Sequence, residues 1–131
     1  MLDNILCVED DYISQMLMKR VLSKSSFARE IHIVSNGYEA LEFYKNLLDL
    51  DDTLSYPSLV LLDLNMPIIN GWEFLDEFIN TYLPHFEDTK VAILTSSIDH
   101  EDRQKAKGYS IVTDFISKPL TVDMLKKLKG R

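Results

Sequence analysis

The chain has 131 residues, 46% hydrophobic and 27% charged, and its 14 basic and 21 acidic residues give a net charge of −7. That length suits one domain spanning residues 1–131, with apolar content for a single core and no room for a separate output domain. An acidic surface argues against direct nucleic-acid binding, which needs clustered Lys and Arg. No apolar run nears the roughly 20 residues of a membrane span, and Met1-Leu2-Asp3-Asn4 lacks the order of a signal peptide, so a cytoplasmic location is expected.

Taken in chain order, Ile5 to Val8 is a continuous apolar run that predicts a strand buried on both faces. The lone Cys7 within it reads as a buried small apolar residue, since one thiol makes neither an internal disulfide nor a thiolate metal site. The next segment predicts a helix with Ile13, Met16, Leu17 and Val21 on its apolar face and Lys19, Arg20 and Lys24 opposite. Ile31 to Val34 predicts the second strand. Asn36 with Glu39 then makes a capping pair for a helix striped by Ala40, Leu41, Tyr44 and Leu48. The stretch from Asp49 to Pro57 reads as a surface loop, and Leu59 to Leu62 as the third strand. Asn70 and Glu73 flank the start of the third helix, which carries Leu75, Phe78, Ile79 and Tyr82 and ends at Pro84; Trp72 is assigned to its packing. Val91 to Leu94 is the fourth strand. The segment from Asp99 to Lys107 offers Ala106 but no large aliphatic residue, and is expected to be the loosest helix. Phe115-Ile116 is the fifth and weakest strand signal. Thr121 caps a last helix that buries Leu125 and Leu128 and exposes Lys126, Lys127 and Lys129.

Strands alternating with helices predict a doubly wound α/β domain, a parallel sheet with helices on both faces. In such a sheet the carboxyl ends of the strands share one edge, where ligands bind. Glu9-Asp10-Asp11 follows the first strand, Asp63-Leu64-Asn65 the third, Thr95-Ser96-Ser97 the fourth and Lys118-Pro119 the fifth. Carboxylates at the ends of buried strands are costly unless paired or coordinated. A hard divalent cation, Mg²⁺, suits an all-oxygen cluster of Glu9, Asp10 and Asp63. Lys118 and Thr95 add a cation and a hydroxyl, the donors that a phosphoryl group needs beside an oxygen nucleophile, for which Asp63 is the best placed. Asp11 reads as a helix cap. His32, His85 and His100 are scattered and read as solvated or structural.

These residues carry a resemblance over essentially the whole chain. Ile5 to Asp11, Leu61-Leu62-Asp63-Leu64-Asn65-Met66-Pro67 with Gly71, Thr95-Ser96 and Phe115-Ile116-Ser117-Lys118-Pro119-Leu120 resemble the response-regulator receiver domain of two-component signalling systems. The resemblance implies a flavodoxin-like five-stranded parallel sheet in the order 2-1-3-4-5 with five helices. It implies Asp63 as phosphoacceptor, charged by a histidine kinase or phosphotransfer protein. Glu9, Asp10, Asp63 and the backbone carbonyl of Asn65 would hold Mg²⁺, Thr95 and Lys118 would contact the phosphoryl group, and Phe115 would be the switch aromatic. The Lys118-Pro119 peptide would be cis, and a downstream protein would dock on the face of helix four, strand five and helix five. Before phosphorylation, the edge is expected to carry uncompensated carboxylates. Departures from the family pattern are Glu9 in place of a commoner Asp, Ser96 in place of a frequent Ala, the run Lys107-Gly108-Tyr109-Ser110-Ile111, and extra residues around Tyr82 to Asp88.

Three rival classes follow. An aspartyl-phosphate phosphatase would want an acid two residues after its nucleophile, where Asn65 stands. A flavin-phosphate site would want amides and hydroxyls in the first loop, where Glu9-Asp10-Asp11 would repel the ligand. A degenerate receiver that binds partners without phosphorylation is harder to set aside, but nothing that phosphorylation requires is missing from this site. The charge is also uneven: residues 118–131 carry five basic residues and one acidic residue, a basic end on an acidic chain.

Overall fold

The computed structural model describes residues 2–50, 56–96 and 99–129. Five strands, β1 (Leu2–Val8), β2 (Ala28–Val34), β3 (Leu59–Asp63), β4 (Lys90–Thr95) and β5 (Val112–Ser117), form one parallel sheet in the order β2-β1-β3-β4-β5. Helices α1 (Tyr12–Lys24), α2 (Gly37–Asp49), α3 (Gly71–Glu77), α4 (His100–Ala106) and α5 (Val122–Lys129) alternate with them. The central strands are apolar at consecutive positions because both of their faces are covered. Leu6, Val8, Val60, Leu62, Val91 and Ile93 pack toward α2 and α3, whereas Ile5, Cys7, Leu59, Leu61, Ala92 and Leu94 pack toward α1 and α5. Period-two alternation thus divides each strand between two cores. The edge strands β2 and β5 are only half-buried, which is why the fifth has the weakest apolar signal.

The first helix corrects the sequence reading. Met18 and Leu22 are its buried residues, while Ile13, Met16 and Leu17 are 65%, 49% and 48% exposed. Apolar side chains surround much of this helix, so two stripes with the same spacing competed. Met18 and Leu22 fit the space beside Phe27 and Leu125 in the core on that side of the sheet.

Helix three differs in its second half. Its start is the expected capping box, with the Asn70 side chain accepting from the Glu73 amide and Glu73 accepting from the Asn70 amide. From Phe78 to Tyr82 it widens into a π turn, in which the Leu83 amide reaches back to the Phe78 carbonyl, and a 3₁₀ turn over Leu83–His85 follows. Pro84 has no amide to continue the α-helical ladder. The wider turn seats Phe78 and Tyr82 against Tyr44, with ring centres 4.7 and 6.0 Å away. In helix two the cap is simpler than a box: Asn36 accepts from the Glu39 amide, but Glu39 accepts from Ser35 rather than from Asn36.

Helix α4 buries only Ala106, as its composition predicts. Thr121 accepts from the Met124 amide at the start of α5, and Leu125 and Leu128 are buried. Residues 51–55 of the predicted loop, Ser97 and the side chain of Lys129 lie outside the described part. No helix among the described residues is long and apolar enough to cross a membrane.

Candidate functional site

The parallel sheet delivers Glu9, Asp63, Thr95 and Lys118 to one edge because each stands at or just after the carboxyl end of its strand. Asp63 and Thr95 are the last residues of β3 and β4, and are 6% and 1% exposed. Glu9 is 1% exposed, whereas Asp10 reaches solvent. Carboxylate oxygens of Glu9, Asp10 and Asp63 lie within 4.8 Å of one another. Asp11, as read from the sequence, caps α1 by accepting from the Ser14 amide at 2.9 Å, and that bond holds its carboxyl below the usual range.

The carboxylates are not uncompensated, which corrects the expectation for the resting edge. Lys118 donates to Glu9 Oε1, and its Nζ stands 3.7 Å from Asp63 Oδ2. The other Glu9 oxygen accepts from the Asp11 amide at 3.1 Å, and Asp63 Oδ1 accepts from the Asn65 amide at 3.3 Å. The side chain of Glu9, one methylene longer than Asp, reaches the lysine from an almost fully buried position. One cation is shared by two buried carboxylates, and the imbalance appears at Asp63. Burial first, and then the charge of Glu9, push its pKa up to about 7 despite Lys118. A hard cation relieves that imbalance, and three convergent carboxylate oxygens with no nitrogen or sulfur donor match what Mg²⁺ takes. The residues present fit such an ion.

The backbone of the site is braced from below. The Lys118 amide donates to the Thr95 carbonyl at 2.8 Å, joining the ends of β5 and β4, and the Lys118-Pro119 peptide is cis. Gly71 donates to the Leu64 carbonyl, and a Cβ added at Gly71 would stand 2.8 Å from the Asp63 carbonyl oxygen, so only glycine allows α3 to start so close to β3. Gln15, which the sequence reading passed over, donates to the Glu9 carbonyl at 2.6 Å and lies 3.3 Å from Ser35 Oγ. The available signal was a lone amide amid the apolar residues of helix one.

Phe115 is half-buried on β5, opposite Ile93 of β4, with the guanidinium of Arg103 over its ring at 5.3 Å. Asn65 is exposed beside Asp63. Cys7 stays an inert core residue, its thiol pushed up to about 12 by burial. His32 is structural, within 3.2 Å of Asn4 Oδ1.

A family model for the response regulator receiver domain matches residues 5–129. The chain is 33% identical over 128 residues to response regulator Rcp1 of Synechocystis sp., a match covering 96% of this chain and 84% of that protein. The crystal structure of a two-component response regulator from Cytophaga hutchinsonii has a TM-score of 0.89 at 32% identity, covering 98% of this chain and 95% of that one. The Mn(2+)-bound form of Rcp1 has a TM-score of 0.76 at 29% identity, covering 98% of this chain and 90% of that one.

Proposed function

The chain belongs to the response regulator receiver domain family, a phosphorylation-dependent signalling switch, and on that premise we propose that Asp63 is the residue that takes the phosphoryl group. The observation that carries the reading is the convergence of Glu9, Asp10 and Asp63 within 4.8 Å, with Lys118 against two of them. Glu9, Asp10, Asp63 and the backbone carbonyl of Asn65 hold Mg²⁺. Bound there, the ion supplies positive charge that offsets the phosphoryl oxygens.

An oxygen of Asp63 attacks phosphorus as the bond to the donor's imidazole nitrogen breaks. The electron pair returns to that nitrogen, and Asp63 becomes an acyl phosphate. Lys118, already between two carboxylates, follows the negative charge from Asp63 to the phosphoryl oxygens, and the Thr95 hydroxyl donates to them. These bonds exist only in the phosphorylated state, so they are the differential contacts that shift the protein toward its signalling form. Phe115 on the neighbouring strand reports that shift to the surface of α4, β5 and α5, where a downstream protein docks. The donor is a histidine kinase or a phosphotransfer protein, and the exchange takes place in the cytoplasm.

Asn65 carries an amide where a carboxyl would be needed and cannot act as a general acid, which disfavours an aspartyl phosphatase. Slow loss of one phosphate per chain, rather than many turnovers, is expected. The test is intact mass after incubation with acetyl phosphate and Mg²⁺. Wild type is expected to gain one phosphoryl group and Asp63→Asn none, and a gain by the variant overturns the assignment.

A further inference from the structure

Helix α4 buries little, yet two of its cations reach aromatic rings on either side. Lys105 Nζ lies 4.7 Å from the ring centre of Trp72 on α3. Arg103 lies 5.3 Å from that of Phe115 on β5. Just past α4, Tyr109 stacks on the same Trp72 ring, with centres 5.6 Å apart and planes at 27°. Its hydroxyl donates to Asp76 Oδ1 at 2.8 Å. Trp72 and Asp76 are one turn apart on α3, so Tyr109 lies along that helix and is held at both ends. The Tyr109 amide donates to the Ala106 carbonyl and the Gly108 amide to that of Lys105, a tight turn that brings Lys105 and Tyr109 to one ring.

We propose that Trp72, Tyr109, Lys105 and Asp76 form a clamp that holds α4 to α3 and so positions Thr95 and Phe115 in the unphosphorylated protein. Both connections from α4 to the switch are short. β4 ends at Thr95, α4 is capped by Asp99, and Arg103 leans on Phe115. The anchor of the clamp is equally close to the chemistry, because Trp72 follows Gly71, whose backbone abuts the Asp63 carbonyl. A helix with a full apolar stripe would be fastened by area. This one is fastened by cation–aromatic contacts, the Tyr109–Trp72 stack and one hydrogen bond, each modest at a surface, and a change at the phosphorylation site is large enough to release it. The run Lys107 to Ile111, which departs from the family's small-residue pattern, supplies Tyr109. The positioning role of the clamp rests on the reading of Asp63 as phosphoacceptor, and it makes helix α4 the element that sets how readily Asp63 is charged.

The test uses Tyr109→Phe, which keeps the stack and loses the bond to Asp76, Lys105→Gln, which loses the cation, the double variant, and Lys105→Arg as the conservative control. Amide hydrogen exchange of residues 100–107 is expected to rise about threefold for each lost contact, with β1 and β3 unchanged and Lys105→Arg at the wild-type rate. Emission of Trp72, the only tryptophan, is expected to shift in the double variant. Uptake of phosphoryl from acetyl phosphate is expected to speed up by a similar factor while the Mg²⁺ affinity stays that of wild type. Unchanged exchange in the double variant overturns the clamp, and faster exchange with unchanged uptake overturns its positioning role. A wild-type chain that takes no phosphoryl group overturns the Asp63 reading, and with it the positioning role, while exchange of α4 still decides whether the clamp holds the helix.

Discussion

Neutralising Asp63 tests the site through stability as well as chemistry. Its carboxyl is raised from 3.8 to about 7, by burial first and by Glu9 second. A raised carboxyl binds a proton in the folded state that the unfolded chain gives up. Its stabilising contribution is therefore complete below about pH 4 and is lost as pH climbs through about 7. Above that, the ceiling on the penalty for the charged form is roughly 4 kcal/mol. Asp63→Asn removes the charge and keeps an acceptor for the Asn65 amide. It also turns an amide NH₂ toward Lys118 Nζ, now 3.7 Å from Oδ2, so that two donors meet. About half the ceiling, ~2 kcal/mol, is the expected gain. Urea unfolding with a chelator should show the variant more stable than wild type by that amount at pH 8, with the gain gone near pH 4. Added Mg²⁺ should stabilise wild type and leave the variant little changed, because binding to the folded state alone adds to its stability. A variant less stable than wild type at pH 8 without metal, or equal stabilisation of both by Mg²⁺, would refute the reasoning.

Gly71→Ala places a methyl 2.8 Å from the Asp63 carbonyl and 2.9 Å from Leu64 Cα; urea unfolding should show a loss of about 1–3 kcal/mol, and mass spectrometry slower phosphoryl uptake. The Tyr44 hydroxyl is fully buried among aromatic rings and has no hydrogen-bond partner among the described residues. Tyr44→Phe should therefore raise unfolding stability by ~1 kcal/mol, and a loss would mean that the hydroxyl is bonded. Ile68 is exposed and held at a φ of 41°. Asparagine tolerates that region far better than a β-branched residue, so Ile68→Asn should gain about 1 kcal/mol in thermal unfolding while phosphoryl uptake stays unchanged.

Much of the fold was legible because its signals are local. Runs such as Leu59 to Leu62 announce a strand covered on both faces, and Asn70 with Glu73 announces a helix start, whatever surrounds them. The gathering of the candidate site residues was legible for a related reason: Asp63 and Thr95 end their strands, Lys118 follows its own, and parallel strands end together. The buried face of α1 was not legible. With Ile13, Met16, Leu17, Met18, Val21 and Leu22 all apolar, periodicity offers more than one stripe, and only the volume beneath the helix chooses Met18 and Leu22. The π turn at Phe78 likewise comes from rings on α2 that no local window contains.

Chain order alone thus specifies the parallel sheet and the residue types at its edge, since strand propensity, capping and the hydrophobic period act over a few neighbouring residues. The pairing of Lys118 with Glu9, 109 residues apart, and the meeting of Trp72 with Tyr109 and Lys105 were decided only when the elements packed. Such contacts depend on the direction in which each side chain leaves its element and on the space between elements, and neither is encoded in local spacing.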